Sequence, residues 1–257
     1  MIILFRSYGG LGNQLYQYFF CILLQKKFNT CSVKHIHSTN YSRYAPWEMP
    51  LQLEIIDKNI HKMLIKCRFP MLLSKLGLNK KGYLKIFNLL IVDNYYQDVS
   101  FYQQFNLFDI KDVLLKFQNQ LFNFNYNNFE QDKIYHFRLG DFFSNSIEEK
   151  DFILSTINKI HNNSTIISNN DIYFEDNLIM KKLILKQCKY IKTAKFSSLE
   201  LFYLFLKFKN IYSNGSSLSF FAATLNNSNV IPISNNMIFF QKKSFNRLMT
   251  LHLFLTK

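Results

Sequence analysis

Residues 2 to 5 are apolar without a break and read as a short buried strand. Arg6 ends the run, and Tyr8-Gly9-Gly10-Leu11-Gly12-Asn13 follows as a tight loop. From Gln14 to Lys27 the spacing becomes helical, with Leu15, Tyr18, Phe19 and Ile22 on one face. Strand, glycine loop and helix in that order put the loop where a nucleotide-binding loop lies in α/β proteins. Residues 31 to 36 read as the next strand.

The second half alternates more regularly. Ile134-Tyr135-His136-Phe137, Ser164 to Ile167, Tyr190 to Lys192, Ile211-Tyr212 and Val230-Ile231 read as strands. Helical patterns separate them. Ser146-Ile147-Glu148-Glu149 has capping-box spacing and predicts a helix to about Ile160. Asp176 to Gln187 is helical. Ser197-Ser198-Leu199-Glu200 is a second capping box, predicting a helix to about Phe208. Ser216 to Leu225 and residues 237 to 255 are the last two helices. Five strands alternating with short helices imply βαβ units and a parallel sheet. The chain divides on this pattern into an N-terminal α/β domain, 1–130, and a C-terminal Rossmann-like domain, 131–257.

Residues 40 to 130 carry a weaker pattern. They hold the only tryptophan, Trp47, and three of the four prolines, Pro46, Pro50 and Pro70. From Lys58 to Lys85 there are eight basic residues and no acid, with Leu and Met between them. That mixture predicts a surface helix, either simply solvated or lying on an anionic bilayer.

Composition narrows the classes. Nearly half the residues are apolar and 17% are aromatic, which excludes a disordered chain. The net charge of +14 calls for an anionic partner: nucleic acid, an anionic membrane or a phosphorylated ligand. Cys21, Cys31, Cys67 and Cys188 form no Cys-x-x-Cys pair, so reduced thiols are expected rather than a disulfide framework or zinc knuckle. The apolar start is too short for a secretory signal, and no run is long enough to span a bilayer. The expected location is the cytoplasm.

Ligands of open parallel sheets bind beyond the carboxyl ends of the strands. Polar clusters follow three of the predicted strands: Arg138 and Asp141; Ser168, Asn169 and Asn170; and Ser213-Asn214-Gly215-Ser216-Ser217. The last leads into a helix N-terminus, whose free N–H groups suit phosphate, for which Ser216 and Ser217 are candidates. Arg138 suits a diphosphate because a guanidinium makes two parallel hydrogen bonds to phosphate oxygens. His136 is two residues earlier and shares the strand face of Arg138; it is a site candidate or a hydrogen-bonded core histidine. The sequence has no Asp-x-Asp for a divalent ion, and His35-Ile36-His37 lacks a carboxylate partner, so no metal is expected.

Gly9-Gly10-Leu11-Gly12-Asn13-Gln14-Leu15-Tyr16-Gln17-Tyr18 closely resembles the Gly-Gly-Leu-Gly-Asn-Gln-Leu-Phe-Gln-Tyr opening of the bacterial α-1,2-fucosyltransferases. His136-Phe137-Arg138-Leu139-Gly140-Asp141 resembles the His-x-Arg-Arg-Gly-Asp motif that those enzymes share with α-1,6- and protein O-fucosyltransferases. Ile167-Ser168-Asn169-Asn170 resembles their Phe-Ser-Asp-Asp. Asn214 to Ala223 resembles their third motif, Asn-Ser-Ser-Phe-Ser-Trp-Trp-Gly-Ala. The motifs keep family order from residue 9 to 223. Leu139 stands where the family has a second arginine, Asn169 and Asn170 where it has carboxylates, and Phe220 and Phe221 where it has tryptophans.

The resemblance implies a GT-B-like α/β fold, two Rossmann-like domains with a cleft between them, the acceptor on the N-terminal side and the donor on the C-terminal side. It implies GDP-L-fucose as donor, inversion at the anomeric carbon and no metal. By motif match, Arg138 holds the diphosphate, and Gly10, Gly12 and Asn13 face the donor across the cleft. Ser168, Asn169, Asn214, Ser216 and Ser217 complete the donor set. Asp141 is the nearest candidate base, with Glu148 and Glu149 behind it, and His136 completes the catalytic set. The expected acceptor is a galactoside-type glycan of a surface polysaccharide, in some cases lipid-linked at the inner face of the cytoplasmic membrane. The rival readings are another nucleotide-sugar transferase of the same fold and, on charge alone, a non-enzymatic binder of anionic surfaces; no nucleic-acid motif is present.

Overall fold

The computed structural model describes residues 1–6, 9–29, 32–36, 61–63, 81–92, 94–122, 131–140, 143, 145–235 and 237–257. The chain is α/β and divides into two compact units, Met1–Phe124 with Leu253–Lys257, and Asn125–His252.

Unit 1 is built on a sheet of β1 (Ile2–Arg6), β2 (Ser32–Ile36), β3 (His61–Met63), β4 (Leu84–Ile86) and β5 (Leu89–Val92), in the order β3-β2-β1-β5-β4. All neighbours are parallel except β4 and β5, which form a hairpin. Phe87 makes its tight turn with a φ of +48°. Helix α1 (Leu11–Phe28) follows β1, and α2 (Leu107–Phe122) packs on it.

The one-sided face expected for α1 is too narrow. Tyr16, Phe20, Cys21, Leu23 and Leu24 are buried as well as Leu15, Tyr18 and Phe19. The reason is cover on several sides: Phe20 stacks on Tyr96 with centroids 4.1 Å apart, and Tyr18 and Phe19 meet Phe117 of α2. A helix covered on several sides has no single hydrophobic stripe; of the expected face Ile22 is only partly buried, as is Gln25, and Lys27 is exposed.

The surface helix expected over 58–85 is corrected in part. His61–Met63 is a parallel strand beside β2, and Leu84–Ile86 pairs with β5. Open backbone beside β2 and β5 is satisfied by strands there, which a basic composition does not reveal. Residues 64–80, with four of those eight basic residues, Lys58 and Trp47 lie outside the described residues.

Unit 2 contains β6 (Gln131–Phe137), β7 (Thr165–Ser168), β8 (Lys189–Ile191), β9 (Phe208–Ser213) and β10 (Asn229–Pro232). The sheet order is β10-β9-β6-β7-β8, all parallel. Counted from β6 as the first strand, this is 5-4-1-2-3, the doubly wound order of a Rossmann-like sheet. Its helices are α3 (Ser146–Ile157), α4 (Asn177–Leu185), α5 (Ser198–Phe205), α6 (Ser217–Asn226) and α7 (Phe239–Leu255), the last of which belongs to unit 2 as far as His252. Tyr135, Phe137, Leu139, Phe152, Ile153 and Ile166 form the heart of one core layer.

One capping prediction holds and one fails. Ser197 and Glu200 make the reciprocal capping box that opens α5. At α3 the cap is Asn145, whose side chain accepts from the Ile147 and Glu148 N–H groups, both at 3.0 Å. With the cap at Asn145, Glu149 falls one position past the capping-box glutamate, and its carboxylate turns elsewhere.

Candidate active site

The chain order of β6 to β10 reverses direction across the sheet between β6 and β9. In doubly wound sheets the crevice beyond the strand ends at this point holds the ligand. Residues 138–140 leave the end of β6, and Asn214-Gly215-Ser216 leave the end of β9. His136 pairs with Ser213 in the last register step. The polar loops after β6, β7 and β9 therefore sit side by side.

The β6 loop is held by side chains rather than by a ladder. Asn214, fully buried, accepts from the Arg138 N–H (2.9 Å) and donates to the Arg138 carbonyl (2.7 Å). Asn169 does the same one residue on, accepting from the Leu139 N–H (2.6 Å) and donating to its carbonyl (3.0 Å). The carboxylate of Glu149, a buried residue of α3, accepts from the Gly140 N–H. Three consecutive backbone amides are thus anchored from three different elements. Gly140 has a φ of +87°, which glycine adopts without steric cost. Tyr173 adds a bond to Glu149; that bond first, then burial, pushes its phenol up to about 12.

The Leu139 side chain goes inward, fully buried with Phe137 and Phe152. Arg138 is half-buried at the loop. His136 is buried beside Phe205, ring centroids 4.9 Å apart, and its Nδ1 has no partner among the described residues. Burial first, and the nearby Arg138 charge second, lower its pKa to about 3, so it is neutral at physiological pH. Neutral, it adds no second cation beside Arg138.

The β9 turn is shaped by hydroxyls. Ser213 Oγ lies 2.9 Å from Ser219 Oγ and accepts from the Gly215 and Ser216 N–H groups at 3.3 Å. Gly215 has a φ of +102°, and a Cβ there would meet Ser244 and the Phe245 backbone at 3.2 Å. Ser216 is the N-cap of α6, but its side chain makes no capping bond. The first turn of α6 is therefore left uncapped by its own serine, with Ser217 at its first helical position.

Ser168 is fully buried, its hydroxyl engaged with the Asn170 backbone at 3.0 Å. Next to it Asp171 accepts from Thr193, Ala194 and Tyr190 and fixes the loop after β8. Asp141 lies outside the described residues. Among the described residues no group of three or more His, Cys, Asp or Glu is gathered as metal ligands are.

In unit 1 the loop after β1 is built in a parallel way. The Gly10 carbonyl accepts from the Asn13 and Gln14 N–H groups at 2.9 and 3.2 Å, opening α1. Gly12 is buried in the first turn. Gly9 has a φ of +77°, and the Asn13 carboxamide occupies the space a side chain would need. Asn13 Oδ1 accepts from Gln97, a buried residue on the loop after β5, and β5 is the neighbour of β1. Gln97, in the weakly patterned middle, carried no sequence signal. Glu149 looked like a cap, and its hold on Gly140 depends on a contact nine residues away that spacing alone does not show.

No family model and no curated protein matches the chain. Among solved structures, POFUT1 in complex with GDP is similar over 88% of this chain and 94% of its own, with 8% identity and a TM-score of 0.47. A family 9 glycosyl transferase from Veillonella parvula is similar over 98% and 96%, with 10% identity and a TM-score of 0.38. At these identities and scores neither neighbour assigns a function to this chain.

Proposed function

We propose that this chain is an inverting glycosyltransferase that takes a sugar from a guanosine-diphosphate donor, and more specifically an α-1,2-fucosyltransferase acting on a galactoside-type glycan. The observation that carries the reading is that the Arg138 backbone is tied to Asn214, three residues ahead of the first helical residue of α6, at the β6–β9 reversal, where Ser216 leaves the helix start uncapped by its own side chain. A guanidinium and a helix N-terminus side by side are suited to a diphosphate. The motif resemblance supplies the sugar and the linkage.

In an inverting transfer an acceptor hydroxyl attacks the anomeric carbon in line while negative charge grows on the departing diphosphate. Arg138 and the first-turn amides of α6 stabilise that charge. Asn214, Asn169 and Glu149 fix the backbone from which Arg138 projects, which limits the reorganisation needed to bring its cation to the diphosphate. Asp141 is the proposed base for the acceptor hydroxyl, and no metal is proposed in the step. Transfer from GDP-fucose in excess chelator tests the donor and the metal together. An activity abolished by chelation and restored by a divalent ion overturns the metal-free reading.

One observation favours a second donor. Leu139 is a core residue here, so the second cation of the family motif is missing. A donor screen of GDP-fucose, GDP-mannose and UDP-sugars decides between them. No described helix is long and apolar enough to cross a membrane. We propose that the basic residues of segment 58–85 seat the chain on the inner leaflet near a lipid-linked acceptor. Cosedimentation with anionic vesicles at low salt checks this, and no binding there contradicts it.

A further inference from the structure

Helix α7 reaches past the start of α6. Contacts between them keep the same order along both: Ser244 Oγ donates to the Gly215 carbonyl at 3.1 Å, Phe220 meets Phe245 at 5.2 Å, and Thr224 Oγ1 lies 3.0 Å from His252 Nδ1. Gly215 and Ser216, just ahead of α6, are thus level with Ser244 and Phe245. Residues 239–243 lie beyond them, an overhang of about 7 Å at 1.5 Å per residue. It stands beyond the carboxyl ends of the strands, beside the diphosphate position at the α6 start.

The overhang carries an exposed aromatic on the flank that meets the donor turn. Gln241, Phe245, Leu248 and His252 recur at helical spacing and are buried, so this stripe faces the body of unit 2. Phe240 is four residues before Ser244 and shares its flank, the one that touches Gly215. Its ring is 67% exposed and braced edge-on by Phe239, with centroids 5.6 Å apart. The exposed Phe240 ring therefore stands on the α7 flank that meets the turn into α6, within reach of a nucleoside attached to a diphosphate at the α6 start.

We propose that Phe240 is the platform on which the nucleobase of the donor stacks. The inference rests on the diphosphate position proposed above. A flat apolar ring at the wet rim of a phosphate site suits a base, because stacking needs only a π-face and no hydrogen-bond code.

The test is titration of the full chain with GDP and, separately, with inorganic pyrophosphate as a probe that has no base. Wild type, Phe240→Ala and Phe240→Tyr are compared, each with its thermal midpoint. The expected result is GDP binding weakened about tenfold by Phe240→Ala, retained by Phe240→Tyr, with pyrophosphate binding and thermal midpoint unchanged. Unchanged GDP affinity in Phe240→Ala overturns the platform, as does a parallel loss of GDP and pyrophosphate. Failure of the donor reading looks different: wild type itself then binds neither probe, and the platform falls with it.

Discussion

Arg138 gains its importance from what surrounds it. Its own loop supplies no second cation: Leu139 is in the core and His136 is neutral. Arg138→Ala should keep the fold and lower transfer by about a hundredfold or more, the scale of losing one charge-stabilising group. Arg138→Lys should recover only part, because an ammonium cannot make the paired bonds of the fork. Leu139→Arg should not supply a second cation to the loop. It buries an unpaired charge among Phe137 and Phe152 and should cost about 3 kcal/mol or more, read as a lowered denaturation midpoint. Asn214→Ala strips two bonds from the Arg138 backbone and should cost about 1–3 kcal/mol and reduce transfer as well. Asn169→Asp keeps the acceptor for Leu139 N–H but loses the donor to its carbonyl, so a smaller loss of the same kind is expected.

At the scale of elements, the strands and helices of unit 2 were legible because each is short, bounded by polar turns and paired with its neighbour in chain order. The three polar clusters were legible too, and the sheet order explains why they converge. What the sequence could not show is which side chains serve the backbone. Asn169 and Asn214 read as ligand groups, yet each has both ends of its carboxamide spent on the β6 loop. Such bonds join residues thirty or more positions apart and leave no periodicity. The same holds for Gln97 with Asn13. Gly215 is a clear exception, since glycine before a helix start is visible and its φ of +102° gives the reason. Gly215→Ala should cost about 1–3 kcal/mol in thermal or denaturant unfolding, from the φ and from the 3.2 Å approach to α7.

On the scale of the whole molecule, the two five-stranded sheets of the described residues each place a glycine- or asparagine-built turn at the strand where chain order reverses. In unit 2, His136 and His252 are both buried with pKa values lowered by burial, to about 3 and about 4, from 6.5. The unfolded chain takes up these protons first. Their contribution is therefore complete above pH 6.5 and is lost as pH falls toward 4, at up to about 1.4 kcal/mol per pH unit for each histidine. Scanning calorimetry should show the midpoint falling from pH 7 to 5, and His252→Gln should flatten that fall. A midpoint constant across this range in wild type contradicts it. The central claim, that the β6–β9 crevice binds and discharges a GDP-sugar through Arg138, is tested most directly by GDP release from GDP-fucose in excess chelator, wild type against Arg138→Ala. The account predicts turnover in wild type and a loss of about a hundredfold or more in the variant at equal folded content; equal turnover in the two, or none in wild type with any GDP-sugar, contradicts it.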